Sequence, residues 1–346
     1  MPNCNWFGIP GELAPNMELL QLIIGKWVTQ AIYTAAELAI ADRLKDGPRA
    51  SAEVARDCGA NEDATYRLMR ALANVGVLEE REGRAFALTP MGECLRSDAP
   101  FSLRGYARFV GYEPSWKAWG EMVHSVRTGE AGFERVYGEN LFDWFGKHPD
   151  ESAVFDEAMT AFSSTAAAAV AEAFDFSSIA ILADVGGGRG SLLATILDRN
   201  PKLKGVLFDL PHVVPGAPPL LRERGVADRV RVESGSFLER APAGADAIIM
   251  KHIIHDWHDA DSVRILQTCH RALSKGGRVL VVEAIVPPPG QPGLAKLIDL
   301  EMLALTPRGR ERTEQEFAQL FAAAGFRLIR VVPTASTVSI LEAEWI

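Results

Sequence analysis

The stretch ILADVGGGRGSLLATIL, residues 181–197, decides the fold. It predicts a short apolar strand that ends near Asp184, a turn with four glycines, and an apolar helix. Glycine lets a backbone turn tightly and approach a ligand at the carboxyl end of a strand. The dinucleotide fingerprint requires a third glycine where Ser191 stands, and the lysine of a phosphate-binding loop is missing. The stretch therefore predicts a ligand-binding turn that belongs to neither of those two motifs.

Further strand-like runs alternate with helical stretches after this turn. These runs are GVLFD (205–209), VRVES (230–234), AIIMK (247–251) and RVLVVEAIV (278–286). The alternation predicts a mostly parallel, doubly wound α/β sheet. The second strand ends at Asp209, where a carboxylate can accept hydrogen bonds from both hydroxyls of a ribose. The glycine turn and Asp209 together indicate a cofactor that carries a nucleoside.

Residues 51–96 have the order helix, helix, β-hairpin and helix, which is typical of a winged helix. Ser51, Asn61 and Thr89 are the predicted caps of the three helices, and Pro90 follows at a first helical position. The second of these helices begins with acidic residues, and the chain has a formal net charge of −9. Because DNA binding depends on positive charge, these features favour a structural and dimerisation module over a DNA-binding one.

Residues 13–44 predict a long helix that is apolar around most of its circumference. Such a helix must be buried on several sides, so a second copy of the chain is a candidate partner. Charged residues interrupt the stretch too often for a membrane span, and no signal peptide is recognisable. The cysteines are scattered without a CxxC pair, which is typical of a reducing compartment and predicts a cytoplasmic protein. They are Cys4, Cys58, Cys94 and Cys269.

The composition divides the chain into three predicted regions. Residues 1–100 form a winged-helix-like dimerisation domain, residues 101–178 a helical linker that lines the substrate, and residues 179–346 the cofactor-binding domain. The linker is rich in aromatic residues, methionine and alanine. Stripes of this kind usually form a core, but they can also line a pocket for a flat aromatic ligand. Both interpretations stay open.

Five motifs in sequence resemble those of S-adenosylmethionine-dependent small-molecule O-methyltransferases, the plant caffeic-acid type together with its bacterial natural-product relatives. They are DVGGGRG (184–190), FDLPHVV (208–214), MKHIIHDWHD (250–259), GGRVLVVEAIV (276–286) and GRERTEQEF (309–317). The resemblance covers nearly the whole chain, because a winged-helix dimerisation domain comes first in that family too. It implies a Rossmann-like class I methyltransferase domain, S-adenosylmethionine as cofactor with S-adenosylhomocysteine as product, and a homodimer.

The resemblance also implies which residues bind the cofactor. Asp184 and the glycine turn would lie by the methionine part, Asp209 would hold the ribose, and Leu210 would touch the adenine. One position departs from the family: Ser236 stands where an aspartate usually contacts the adenine amino group. The full expected set is Asp184, Gly186, Gly188, Asp209, Leu210, Ser236, Phe237 and Lys251.

Residues 251–262, KHIIHDWHDADS, hold three histidines. A zinc site needs three or four converging ligands. His252, His255 and His258 straddle a strand end, a loop and a helix start, so we expect no convergence and no metal. Asp259 is the predicted N-cap of the following helix, and His258 is expected to be solvated or capping.

His255 is the candidate for chemistry, because it follows the carboxyl end of the fourth strand of the sheet. A phenol has a pKa of about 10 and needs a base to react at neutral pH. A histidine base needs an orienting carboxylate, and Glu283 and Glu311 are the two candidates. The resemblance implies that His255 is the base, that both glutamates flank it, and that Asp256 helps to shape the site.

The acceptor pocket is implied by the resemblance alone. Met159, Phe162, Met302 and Thr306 match positions that face the acceptor in the family. Glu301 stands where apolar residues are usual, so it either points away or meets a polar group of the acceptor.

The sequence therefore predicts a homodimeric, metal-independent O-methyltransferase that acts on a hydroxyl of an aromatic or polyketide-like small molecule. Three alternatives stay open. The first is a cofactor-binding relative that performs decarboxylation or hydroxylation, the second an N-methyltransferase, and the third a winged-helix DNA-binding regulator.

Overall fold

The structure, a computed structural model, describes residues 6–8, 11–100 and 102–346, and the side chains of residues 160–165 lie outside this description. The chain divides into two compact units. The first comprises Met1–Trp116 and Phe145–Phe162, and the second comprises Lys117–Trp144 and Ser163–Ile346. The three regions expected from the composition stay a prediction.

The part of the chain before the large sheet is mainly helical. Its helices are α1 (Pro15–Ile23), α2 (Gly25–Glu37), α3 (Ile40–Arg43), α4 (Ser51–Cys58), α5 (Glu62–Asn74), α6 (Pro90–Glu93), α7 (Arg104–Gly111), α8 (Glu113–Gly120), α9 (Met122–Thr128), α10 (Gly132–Tyr137), α11 (Leu141–Phe145) and α12 (Pro149–Ala173). Its strands are β1 (Arg49–Ala50), β2 (Leu78–Arg81) and β3 (Ala85–Leu88), which form one small antiparallel sheet.

The predicted winged-helix order is confirmed in α4, α5, the β2–β3 hairpin and α6. Asn61 accepts a hydrogen bond from the Ala64 amide at 3.0 Å, and Thr89 accepts one from the Gly92 amide at 3.2 Å, so both act as caps. The prediction for Ser51 is wrong. Ala50 is the N-cap of α4, because the chain is already helical at Ser51 and the Ser51 side chain is buried.

Helices α1 and α2 expose large apolar side chains. Leu22 is 78% exposed and Trp27 is 64% exposed, and Leu19 and Ile23 also face solvent. Exposed apolar residues this close together are typical of a surface that another chain covers. No helix in the described part of the chain combines the length and the apolar character that crossing a bilayer requires.

The second unit is built on a large sheet with helices on both faces. Its strands are β4 (Ile181–Val185), β5 (Lys204–Asp209), β6 (Val230–Ser234), β7 (Ala247–Lys251), β8 (Arg278–Glu283), β9 (Phe326–Pro333) and β10 (Ser339–Trp345). The helices between them are α13 (Ser191–Arg199), α14 (Ala217–Glu223), α15 (Asp259–Ala272), α16 (Ala295–Leu305) and α17 (Glu314–Ala323).

The order of strands in this sheet is β6-β5-β4-β7-β8-β10-β9. The first five strands in that order run parallel, and β10 lies antiparallel between β8 and β9. This arrangement confirms the predicted doubly wound sheet. The strand order reverses between β4 and β7, and ligands bind at the carboxyl ends of the strands at such a point.

Alternate residues of the central strands fill two separate cores. Leu182 and Ile249 belong to the cluster on one face of the sheet, while Ala183 and Met250 belong to the cluster on the other. All four side chains are fully buried. Burial of apolar surface contributes roughly 25 cal/mol for each Å² removed from water. The two core layers therefore stabilise the central strands and hold their ends in place.

Candidate active site

The glycine turn after β4 brings the backbone to the carboxyl edge of the sheet. Gly186, Gly188 and Gly190 all have positive φ angles, +69°, +58° and +84°. A Cβ on Gly186 would lie 2.4 Å from Ile253 Cδ1, so a larger residue does not fit there. The space around the missing Cβ of Gly188 is open, with nothing within 4 Å. The turn therefore presents bare backbone at Gly188.

Asp184 lies under this turn. The carboxyl is buried, and its Oδ2 has no hydrogen-bond partner among the described residues. Burial raises the pKa of Asp184 to about 7, against the opposing charge of Lys251. Burial likewise lowers the pKa of Lys251 to about 8, with Asp184 and Glu283 acting in the other direction. A buried acceptor oxygen without a donor fits the methionine amino group of S-adenosylmethionine.

Asp209 ends β5 and binds the neighbouring backbone. Its Oδ2 accepts the Gly188 amide at 2.7 Å, and its Oδ1 accepts the Leu210 amide at 2.6 Å. Each carboxylate oxygen can accept a second bond, so the group can still take two adjacent hydroxyls of a ribose. Burial raises the pKa of Asp209 despite these two backbone donors. Leu210 follows with 36% of its surface exposed, which gives an apolar contact beside the carboxylate.

Ser236 and Phe237 follow β6. Ser236 Oγ accepts the Leu238 amide at 3.3 Å, a long bond within its own turn. The Phe237 ring lies 3.6 Å from the Cβ position of Gly186 and packs edge-on against Trp257, with the ring centroids 5.7 Å apart. Phe237 is thus an apolar neighbour of the glycine turn. Ser236 in place of aspartate adds no negative charge here.

A buried carboxylate at the end of β8 holds the turn that carries His255. Glu283 Oε1 accepts the amides of Ile253, Ile254 and His255 at 3.0, 2.9 and 3.4 Å. These amides begin a 3-10 turn, Ile254–Asp256, whose free donors favour an anion. Burial by itself raises the pKa of Glu283, but the charge of His255 and the amides outweigh it, so the pKa is lowered. Glu283 stands in an apolar run because it anchors this turn.

The imidazole of His255 is held on one side by Glu311. His255 Nδ1 lies 2.7 Å from Glu311 Oε1 and 3.5 Å from Glu283 Oε2, while Nε2 lies 3.6 Å from Asp256 Oδ1. Burial lowers the pKa of His255, but the charges of Glu283, Asp256 and Glu311 outweigh it and raise the pKa to about 10. Burial raises the pKa of Asp256 to about 7. With Nδ1 donating to Glu311, Nε2 is the nitrogen that can exchange a proton with a substrate.

The segment after α16 places Glu311 beside the histidine. The Glu311 amide donates to Asp299 Oδ1 at 2.8 Å, and the Arg310 amide donates to the His255 carbonyl at 2.7 Å. The next residue, Arg312, is a fully buried arginine that contacts the same turn. Asp299 and Arg312 were not among the site residues expected from the sequence. For Arg312, the available signal was its place beside a candidate catalytic residue.

The histidine cluster differs from expectation in two ways. First, His252 and His255 do converge: their rings stack with centroids 5.1 Å apart, and each Nδ1 lies 3.5 Å from Glu283 Oε2. The three residues are of types that bind metal ions. The two rings converge because the chain changes direction directly after β7. His252, the first residue after that strand, has a φ of +54°. Burial and the charge of Lys251 lower the pKa of His252 to about 4, so this ring is neutral.

Second, the N-cap of α15 is His258, whose Nδ1 accepts the Ala260 amide at 3.4 Å. The prediction that Asp259 is the cap is wrong. Asp259 is the first helical residue, and its carboxylate pairs with Arg312 at 2.7 Å. The choice between the two neighbours depends on a partner from a distant part of the chain.

The four residues expected to contact the acceptor differ in burial and in how far the structure describes them. Met302 is buried on α16 and Thr306 is buried at the C-cap of that helix, and the Thr306 hydroxyl donates to the Met302 carbonyl at 2.8 Å. Met159 is half-buried in the part of α12 that belongs to the first unit, and the side chain of Phe162 lies outside the described residues. The roles of all four stay predictions.

Glu301 lies on α16 and is bonded to Trp119. It lies about 200° around α16 from Asp299, the residue that binds the Glu311 amide. Its carboxylate instead accepts a hydrogen bond from the indole of Trp119, and burial raises its pKa. Both possibilities for Glu301 stay open.

These features lie on one edge of one sheet: a glycine turn, a carboxylate suited to a ribose, and a histidine held by two glutamates. Together they define an enzyme that moves a group from a nucleoside cofactor to a small molecule. The chain belongs to the S-adenosylmethionine-dependent O-methyltransferases. Residues 119–327 match the O-methyltransferase domain model, and residues 20–98 match the O-methyltransferase dimerisation domain model.

Several known proteins match this chain over nearly its whole length. The phenazine O-methyltransferase PhzM of Lysobacter antibioticus is 43% identical over 326 residues, which is 94% of this chain and 95% of the relative. The crystal structure of LaPhzM matches with a TM-score of 0.93 and 42% identity, covering 96% of this chain and 100% of the other. CalO1, a methyltransferase in calicheamicin biosynthesis solved in its SAH-bound form, matches with a TM-score of 0.83 and 37% identity over 97% and 100%. The predicted family and cofactor are confirmed.

Proposed function

We propose that this protein transfers the methyl group of S-adenosylmethionine to a hydroxyl of an aromatic small molecule, with His255 as the general base. The observation that carries the proposal is the 2.7 Å contact between His255 Nδ1 and Glu311 Oε1. This contact fixes Nδ1 as the donor nitrogen, and Nε2 becomes the nitrogen that takes up a proton.

Bound S-adenosylmethionine supplies a methyl group on a positively charged sulfonium. Asp184 and Lys251 would bind the amino-acid part of the cofactor, and Asp209 the ribose. The bound cofactor would give up its methyl group to the acceptor oxygen and leave as S-adenosylhomocysteine, and His255 Nε2 would take up the proton of the acceptor hydroxyl. The imidazolium that forms is stabilised by Glu311 and Glu283, which face its other nitrogen at 2.7 and 3.5 Å.

His255 must be neutral before it can act. Its pKa of about 10 means that both ring nitrogens hold protons at neutral pH when no ligand is bound. A nearby cationic cofactor favours the neutral ring, because a positive charge lowers the pKa of a neighbouring base. The groups that face the ring are Glu283 from β8, Glu311 from the segment after α16, Asp256 from its own turn, and the neutral His252.

The acceptor is an aromatic or polyketide-like molecule. This inference rests on the relatives, whose names specify a phenazine acceptor and a calicheamicin pathway. The expected role of Asp256 fits as well, since its carboxyl lies beside Nε2 and can bind a group next to the reacting hydroxyl.

The reaction proceeds without a metal ion. Of the three residues that converge at the histidine pair, Glu283 already accepts three amides and His255 Nδ1 is bound to Glu311. A metal ion bound at His255 Nδ1 would have to displace the contact with Glu311.

The protein is a cytoplasmic homodimer in this proposal. The exposed apolar side chains of α1 and α2 support pairing through the first unit, and the matching model for residues 20–98 is that of a dimerisation domain. In the same proposal residues 1–100 dimerise, residues 101–178 line the acceptor, and residues 179–346 bind the cofactor.

The test is a methylation assay with labelled S-adenosylmethionine against a library of phenols and aromatic amines. We expect methylated phenols from the wild type and a loss of kcat of about 1,000-fold in His255→Ala. S-adenosylhomocysteine should bind both proteins alike in calorimetry. His258→Ala is the matched control, since that ring only caps α15. Full activity in His255→Ala would rule out the base, and methylation of amines alone would point to N-methylation.

A further inference from the structure

Arg312 is among the largest fully buried side chains of the residues that the structure describes, with 1% of its surface exposed. A charged group costs free energy when it is removed from water, so it is retained only where its hydrogen bonds are satisfied. Its neighbours in the chain are Glu311, which binds the imidazole, and Thr313, which caps α17. Arg312 is therefore the next residue in the chain after Glu311, which forms the proposed catalytic pair with His255.

The guanidinium binds both ends of the turn that carries His255. Arg312 Nη1 donates to the Ile254 carbonyl at 2.9 Å, and Nη2 donates to the Trp257 carbonyl at 2.8 Å. These carbonyls come one residue before and two residues after the histidine. Nε and Nη2 also donate to Asp259 Oδ1 at 3.0 and 2.7 Å, which neutralises the charge.

The backbone of Arg312 is fixed to the sheet side of the same site. Its carbonyl accepts the Val286 amide at 2.9 Å, three residues beyond Glu283, and Ile285 forms a parallel bridge with Arg312. One residue therefore connects the segment that carries Glu311, the turn that carries His255 and the end of the strand that carries Glu283.

We propose that Arg312 is a positioning residue that sets the distance between His255 Nδ1 and Glu311 Oε1. The inference rests on the proposed function of His255. Arg312 acts through two backbone carbonyls and touches neither substrate nor cofactor. Its planar fork reaches the two carbonyls from separate nitrogens, a geometry that the single ammonium of lysine does not reproduce.

The proposal has a consequence for the proton on His255. Glu311 raises the pKa of His255, so a longer contact lowers that pKa. Loosening Arg312 should therefore reduce the rate and shift the rising part of the pH profile to lower pH. A residue that only stabilised the fold would lower the melting temperature without moving the pH profile.

The experiment compares Arg312→Lys with Arg278→Lys in the full-length protein. Arg278 pairs with the buried Glu342 at 2.6 Å at the other end of β8, so the same exchange there perturbs the fold and not the site. We expect kcat to fall about 10- to 100-fold in Arg312→Lys. The KM for S-adenosylmethionine should stay within about twofold, as expected for loss of an interaction that acts in the transition state. Arg278→Lys should keep the wild-type kcat.

The second readout is the NMR signal of the His255 Nδ1 proton, which a hydrogen bond to a carboxylate moves far downfield. We expect Arg312→Lys to lose or shift this signal, and Arg278→Lys to keep it. Asp259→Asn loosens the guanidinium from its exposed side and should show the same changes in smaller measure, even if Arg312→Lys does not fold.

Two results would overturn the proposal: wild-type kcat and pH profile in folded Arg312→Lys, or an unchanged Nδ1 signal in both Arg312→Lys and Asp259→Asn. Failure of the base assignment is a separate outcome, since it appears as full activity in His255→Ala. The Nδ1 signal tests Arg312 in either case.

Discussion

The two halves of the sheet edge are built in opposite ways. At the end of β5, two backbone amides hold the Asp209 carboxylate, and these amides are 1 and 21 residues away in the sequence. At the ends of β7 and β8, His255 depends on Glu283 and Glu311, which are 28 and 56 residues away. Among the described residues, each half holds buried carboxylate oxygens without a hydrogen-bond donor: Asp184 Oδ2 in the cofactor half, and Glu283 Oε2 and Glu311 Oε2 in the histidine half. Backbone amides position Asp209, whereas His255 is positioned by side chains from two other segments of the chain.

Glu283→Gln should have the largest effect on this contrast. The amide oxygen can still accept the three backbone amides, but the charge that faces His255 is lost. We expect the free energy of unfolding to fall by about 2 kcal/mol, the usual worth of hydrogen bonds to a charged group. We expect kcat to fall about 100-fold because the imidazolium that forms on His255 loses one of the two charges that stabilise it. Denaturant unfolding and steady-state kinetics measure the two, and unchanged values for both would show that Glu283 is not an anchor.

Glu311→Gln should have a smaller effect on kcat, about 10- to 30-fold, since one orienting partner remains. The pH profile separates orientation from charge. In the unliganded protein the pKa of His255 is raised to about 10, so the neutral fraction, and with it kcat/KM, which reports the free enzyme, should increase with pH below that value. Removing the Glu311 carboxylate lowers the pKa of His255, so the rising limb should move to lower pH. A limb that stays in place would contradict the assignment.

Asp209→Asn tests the cofactor half. The amide replaces one of two acceptor oxygens with a donor that faces the Gly188 or Leu210 amide. We expect the Kd for S-adenosylhomocysteine to rise about 10- to 30-fold, as for a lost charged acceptor, with little change in the pH profile. Calorimetry gives the Kd. A shifted pH profile with unchanged binding would mean that the two halves do not act separately.

Ser236→Asp should give the smallest effect, and in the direction of tighter binding. Aspartate restores the charged acceptor that the family carries near the adenine. We expect the Kd for S-adenosylhomocysteine to fall about three- to fivefold, the effect of one exposed hydrogen bond to a charged group. Ser234→Asp adds the same charge at the exposed end of β6 and is the control. Equal effects of both substitutions would attribute the change to bulk charge.

The same contrast explains what the sequence could predict. The β4 strand, glycine turn and Asp209 follow local rules of strand and turn chemistry, and the structure places them on one edge as expected. His255 and its two glutamates were inferred from chemistry and resemblance, since nothing local shows that residues 56 positions apart meet. His258 and not Asp259 is the N-cap of α15, because the Asp259 carboxylate binds Arg312, which lies 53 residues further on in the sequence. Long-range polar partners of this kind leave no periodic pattern in a sequence.

The position of β10 affects how the chain is made. β10 follows β9 in the sequence, yet it lies between β8 and β9, and within the described ranges of the chain β9 pairs only with β10. During synthesis β9 is therefore made before the strand that it pairs with. The sheet is completed only after β10 has been synthesised and has paired with β8 and β9. Ending translation before Ser339 removes two strands from the sheet, not one.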